Sequence, residues 1–120
     1  MGETVLEALR AMRPPFALYE ADLHALVGEC LRARGLACAH EARIGKGCRI
    51  DYLVGDVGVE IKKGKPVKAQ LMRQLARYAA CEEIGMLIVI SWKTVALPES
   101  IAGKPVRLLS LAKLWGVSLP

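Results

Sequence analysis

The chain has 120 residues, 53% of them hydrophobic and 24% charged, and its 17 Lys and Arg outnumber its 12 Asp and Glu to give a net charge of +5. That is one domain's length of chain, and a mean hydropathy of +0.30 excludes a disordered polymer too poor in apolar residues to build a core. The longest unbroken apolar run, Met86–Ile90, is far short of the ~20 residues that span a bilayer, and Met1-Gly2-Glu3-Thr4 opens no signal peptide, so a cytosolic protein is expected.

A short helix is predicted over residues 3–12, with Val5, Leu6, Leu9 and Met12 on one side, and Pro14-Pro15 ends it. A second helix follows over 17–34. Its stripe is Leu23, Leu26, Val27, Cys30 and Leu31, and Gly35 stands in the usual terminating position. A strand is expected over 36–44, then a turn at Gly45-Lys46-Gly47. Residues 49–54 and 57–62 alternate on either side of Gly55-Asp56, a pair suited to a two-residue hairpin turn because Gly accepts positive φ at the first central position. A helix over 67–83 carries Leu71, Leu75, Tyr78 and Ala79 on one face, and Met86–Trp92 reads as a buried strand. The tail is assigned a short helix near Pro98–Ala102, a strand over 106–109 and a helical turn over 111–115. The order α-β-β-β-α-β predicts an α/β fold, a mixed sheet flanked by helices. The expected organisation is a single domain, with an N-terminal helix and Pro-Pro linker (1–15), a core (17–92) and a C-terminal extension (93–120).

The hairpin makes a geometric prediction. With Gly55-Asp56 as its turn, Val54 faces Val57, Leu53 faces Gly58, Tyr52 faces Val59 and Asp51 faces Glu60. Directly opposed residues have Cβ atoms ~4.5–5.5 Å apart, and like charges there destabilise the pair unless one is protonated or a cation sits between them. Lys62, two residues beyond Glu60, projects from the same face. Two carboxylates and an ammonium in one patch suit metal-assisted phosphodiester hydrolysis. Mg²⁺ prefers carboxylate oxygens and keeps several waters, the ion polarises a phosphoryl oxygen and acidifies bound water, and a lysine stabilises developing charge. Glu20 falls in the first turn of the second helix on its apolar stripe. It either complements the helix dipole or joins the acidic patch.

Asp51 followed by Glu60-Ile61-Lys62 on the paired strand resembles the PD-(D/E)XK nuclease superfamily. Glu20-Ala21-Asp22-Leu23 is similar to the helix-one glutamate motif of its junction-resolvase and restriction-like branches. Gln74-Leu75-Ala76-Arg77-Tyr78 is similar to the Gln-x-x-x-Tyr motif of RecB-type nucleases. The resemblance spans residues 17–92 and departs from the pattern at Ile50, where a proline precedes the aspartate in the family. It implies a restriction-endonuclease-like core and a Mg²⁺- or Mn²⁺-dependent DNA nuclease. Asp51, Glu60 and the Ile61 carbonyl would hold the metal, with Glu20 as an additional ligand. Lys62 would act at the attacking water, Gln74 would complete the catalytic set or support it, and Tyr78 would touch DNA or support the site.

Lys63, Lys65 and Lys68 directly follow the strand that carries Glu60 and Lys62, Arg43, Lys46 and Arg49 come from neighbouring elements, and together they form a candidate rim for DNA phosphates. His24 lies one turn after Glu20. His40 and Glu41 are adjacent on a strand and point to opposite faces. None of Cys30, Cys38, Cys48 and Cys81 forms a C-x-x-C pair, which argues against a zinc ribbon; they are expected as small buried residues. No cysteine follows Cys81, so no iron–sulfur cluster is expected. Alternatives are a dimeric branched-DNA resolvase of the same fold, since so apolar a small chain suits a homodimer interface, a non-catalytic nucleic-acid-binding module, and a plain structural subunit.

Overall fold

Gly55 and Asp56 form the expected turn. Gly55 has φ +60°, which a residue with a side chain adopts only at a cost, and the strands on either side pair with Tyr52 opposite Val59, Leu53 opposite Gly58 and Val54 opposite Val57. The computed structural model describes residues 1–13, 20–45, 47–64 and 66–116, residues 20–22 by their backbone alone. Its elements are α1 (Gly2–Arg10), α2 (Glu20–Ala33), β1 (Ala39–Gly45), β2 (Cys48–Val54), β3 (Val57–Lys62), α3 (Lys68–Ala79), β4 (Met86–Ser91), β5 (Ser100–Ile101), β6 (Lys104–Ser110) and α4 (Leu111–Trp115). Among the described residues these make an α/β fold with one mixed six-stranded sheet, in the order β1-β2-β3-β4-β6-β5. The first three strands are antiparallel, β3, β4 and β6 are parallel, and β5 is antiparallel to β6. A parallel pair needs a crossover connection, and α3 supplies it between β3 and β4. No described helix is long and apolar enough to cross a membrane.

Each face of the sheet has its own apolar cluster. On one, Val5 and Leu9 of α1 and Leu23, Val27 and Leu31 of α2 pack on Tyr52, Val54, Val57, Val59, Ile61, Ile88 and Ile90. On the other, Leu71, Leu75, Tyr78 and Ala79 of α3 pack on Ile50, Leu87, Val89 and Val106. Strands covered on both faces read as continuous apolar runs, which is why β4 has no alternation. Gly58 leaves room on the α3 face. A Cβ there would lie 2.5 Å from Ile50 Cδ1 and 2.8 Å from Ile84 Cδ1.

One irregularity shapes the site. Residues two apart in a strand share a face, yet Ile50 belongs to the α3-side cluster and Tyr52 to the other. In β1, His40 stacks on Tyr52 while Ala42 packs on the α3 side. The register His40 opposite Tyr52 and Ala42 opposite Ile50 is continuous. The two strands therefore change faces together at Glu41 and Asp51, and Glu41 takes φ +51°, an uncommon conformation for a non-glycine residue.

Among the differences from expectation are one element and two boundaries. The helix expected near Pro98–Ala102 is instead β5 and the start of a hairpin to β6. Ala102 and Gly103 have φ +52° and +76°, the consecutive left-handed residues of a tight hairpin turn, and a proline followed by polar residues imitates a helix start. α3 ends at Ala79 rather than 83, and β1 starts at Ala39 rather than 36. Residues 17–19 of the second expected helix lie outside the described residues.

Filling the glycine's place tests the packing of the α3 face. Gly58→Ala is expected to destabilise the protein by about 1–3 kcal/mol, the usual cost of overpacking a filled core, read as a lower urea midpoint at unchanged slope.

Candidate functional site

The backbone ladder between β2 and β3 stops at Tyr52 opposite Val59, and side chains bridge the next step. The Ile61 N–H donates to Asp51 Oδ2 at 2.7 Å, a short bond, and the Asp51 N–H reaches Glu60 Oε1 at a long 3.4 Å. The face change at Asp51 and the end of the ladder thus coincide. Asp51 and Glu60 meet as expected, but as carboxylates filling a fork between strands rather than as a ladder pair.

Glu60 is 4% exposed. Its Oε2 lies 3.2 Å from Lys62 Nζ and 3.2 Å from the Tyr78 hydroxyl. Tyr78 is 2% exposed, its oxygen accepts from Gln74 Nε2 at 2.9 Å, and the hydroxyl lies 2.9 Å from the Arg49 carbonyl oxygen. One hydroxyl proton serves one acceptor at a time, so it is shared between Arg49 and Glu60. Burial, and next the Asp51 carboxylate, push the Glu60 pKa up to about 7, with the Lys62 ammonium opposing them. Burial and the Glu60 carboxylate likewise push the Tyr78 hydroxyl far above its ordinary value.

The structure brings Asp51, Glu60, Lys62, Gln74 and Tyr78 together. Ile61 joins them through its backbone N–H, while its side chain lies in the opposite cluster. Arg49, Lys63 and Lys68 are exposed. The Glu20 side chain and Lys65 lie outside the described residues. Of the two roles expected for Tyr78, support of the carboxylate is the one its position allows; a hydroxyl enclosed among Gln74, Arg49 and Glu60 presents no surface to DNA. His24 and His40 hydrogen-bond each other at 3.1 Å, and neither has a recorded bond to the carboxylates. Cys30, Cys38, Cys48 and Cys81 are free and half-buried.

Two depressions include residues expected of the site in their linings. One, of about 250 Å³, is lined by Lys62, Gln70, Gln74 and Arg77 with Pro66, Val67 and Leu71. The other, of about 440 Å³, is lined by Arg43, Gly47, Cys48 and Arg49. Neither lining includes an acidic residue. Arg43 was among the rim residues expected of the site, whereas Gln70 and Arg77 were not. Gln70 and Arg77 flank Gln74 on α3 at i−4 and i+3, the helical spacing that would have found them.

Asp51 and Glu60 offer oxygen donors only. Ionised carboxylates are acceptor-only oxygen donors, and Mg²⁺ takes one or two of them while keeping waters. Among the described residues no group of three or more His, Cys, Asp or Glu side chains is placed to hold a metal ion. No protein-family model matches the chain, and no curated protein or solved structure does; the site is defined by its own geometry.

Glu60 sets a pH dependence. Its folded value of about 7 lies above the ordinary 4.5 of an unfolded chain, so between these values the folded protein holds more protons. The stabilisation is complete below the unfolded value and is lost as pH rises through about 7. In ion-free buffer, wild-type stability is expected to fall relative to Glu60→Gln between about pH 5 and pH 8, by about 2–3 kcal/mol. Urea denaturation of both proteins across that range measures the difference.

Proposed function

We propose that the chain is a metal-dependent deoxyribonuclease of the PD-(D/E)XK type, with Mg²⁺ or Mn²⁺ as its cofactor and DNA as its substrate. The observation that carries this reading is the contact of Asp51 and Glu60 at the fork between β2 and β3, with the Lys62 ammonium on Glu60 Oε2. The order α2-β1-β2-β3-α3-β4 agrees with that of a restriction-endonuclease-like core. The cationic linings of the two depressions, Lys62 and Arg77 in one and Arg43 and Arg49 in the other, suit a polyanion.

In this reading Asp51 and Glu60 would hold the ion, which when bound would supply polarisation of the scissile phosphate and a more acidic water. The chain's own groups do the rest. The Ile61 N–H fixes the Asp51 carboxylate. Tyr78, itself held by Gln74, fixes Glu60 against α3. Lys62 offers up to three N–H donors to the charge that develops on the phosphate oxygens. Glu60 must lose its proton to bind the ion, so activity rises with pH through the range where Glu60 titrates.

The test incubates the full chain with supercoiled, linear, single-stranded and four-way DNA in Mg²⁺, Mn²⁺ or EDTA, beside Glu60→Ala and Lys62→Ala. Cutting is expected with either ion, absent in EDTA, and reduced by about 100-fold or more in each variant, the scale of removing a group that stabilises the transition state. Cutting that survives both substitutions overturns the proposal. Binding of DNA without cutting of any substrate replaces it with a non-catalytic binding module.

A further inference from the structure

β4 ends its apolar run on a hydroxyl. Ser91 is 0% exposed, and its Oγ is the one buried side-chain polar atom without a hydrogen-bond partner among the described residues. Buried polar groups are nearly always paired, so an exception needs an explanation.

The register supplies one. Ser91 lies opposite Lys62 across the parallel β3–β4 pair, as Val89 lies opposite Glu60. Leu87 and Val89 belong to the α3-side cluster, whereas Ile88 and Ile90 belong to the other, so alternation places Ser91 on the α3 side. Glu60, bonded to Tyr78, and Lys62 two residues later share that side. On the far flank Ser91 lies opposite Ser110, whose hydroxyl is already engaged by Thr94 Oγ1 and the Lys113 N–H. The unpartnered hydroxyl is thus the lateral neighbour of Lys62 and within reach of its four-carbon stem.

Among the described residues Lys62 Nζ pairs with Glu60 Oε2. A divalent cation that binds Glu60 meets the ammonium on the same carboxylate, and two positive charges there repel. Lys62 must then leave that oxygen, and an ammonium needs acceptors. We propose that Ser91 is a positioning residue that receives the Lys62 ammonium when a divalent cation takes Glu60, its hydroxyl oxygen accepting a hydrogen bond from Nζ. The ammonium stays beside the cation without competing for the carboxylate, and its remaining N–H donors stay free. The inference rests on the cation site of the proposed function, and it does not depend on what reaction follows.

The test is a double-mutant cycle read by Mn²⁺ binding to the full chain, measured as loss of the free-ion electron paramagnetic resonance signal without DNA. Ser91→Ala is expected to weaken Mn²⁺ binding about 3- to 10-fold, the scale of a typical net intramolecular hydrogen bond. It is expected to have no effect on binding in a Lys62→Met background, because its influence passes through the ammonium. Its melting temperature without ions is expected to be unchanged or higher, since the unpartnered hydroxyl is gone, so a loss of affinity is not a loss of fold. Unchanged affinity in Ser91→Ala, or an equal loss in the Lys62→Met background, overturns the proposal. Absence of Mn²⁺ binding by the wild type overturns it together with the cation site. A complete cycle in a protein that cuts no DNA upholds Ser91 and removes only the nuclease reading.

Discussion

Two carboxylates in contact, one of them inside the protein, form an arrangement that does not persist without compensation. Charge at Glu60 is opposed by burial and by Asp51, and the surrounding groups answer that opposition. Lys62 brings an ammonium to one oxygen, Tyr78 brings a hydroxyl, and the residual imbalance appears as an unusually strong hold on a proton. Proton and ammonium are alternative ways of settling the same charge at the same oxygens, and in the proposed function a divalent cation would be a third.

The same contact accounts for the irregular backbone. Regular pairing of β2 with β3 would continue past Tyr52 and Val59 and satisfy the next N–H groups through backbone carbonyls. Instead both strands of the β1–β2 pair change faces at Glu41 and Asp51, and the ladder to β3 ends. The freed Ile61 N–H then binds a carboxylate rather than a carbonyl. A left-handed non-glycine residue such as Glu41 costs about 1–3 kcal/mol and persists only where its surroundings determine it. Here the register on both sides of it is fixed, Tyr52 is held by a hydrogen bond from its hydroxyl to the His24 carbonyl oxygen, and Ile50 is wedged over Gly58. The strain is therefore localised beside the carboxylates and borne by packing on both faces.

The sequence was most legible where a few local residues determine long-range geometry. Gly55-Asp56 sets the hairpin register, and that register alone brings Asp51 towards Glu60 and aligns Lys62 with them. The helical spacing of Gln74 and Tyr78 places both on one face of α3, and the structure shows that face meeting Glu60. Less legible were features that depend on partners distant in the chain. The triplet Ile50-Asp51-Tyr52 reads as ordinary alternation with an outward aspartate, because nothing in it reveals that its two apolar residues go to opposite clusters. Ser91 reads as the polar end of an apolar strand; only the parallel pairing of β3 with β4, made through α3, sets it beside Lys62. Tyr78 carries both an apolar body and a polar tip, and the identity of the residue that meets the tip is a tertiary fact.

The position of the site in the sheet follows from β3. It is antiparallel to β2 on one side and parallel to β4 on the other, so the C-terminal half of β3 lies between the N-terminal half of β2 and the C-terminal end of β4. In a sheet containing parallel strands the crevice beyond their carboxyl ends is where connections part and a ligand has access. Asp51, Glu60 and Lys62 lie near that end, with Ser91 and Ser110 completing the parallel row on the same face. Moving the acidic pair to the Gly55-Asp56 end of the same hairpin would place it over Met1, whose side chain lies against Gly55, and away from α3. Glu60 would then lose Tyr78 and Gln74, and with them the burial that raises its proton affinity. An acidic pair held against α3 near one end of the sheet requires a strand covered along most of its length, which β3 provides.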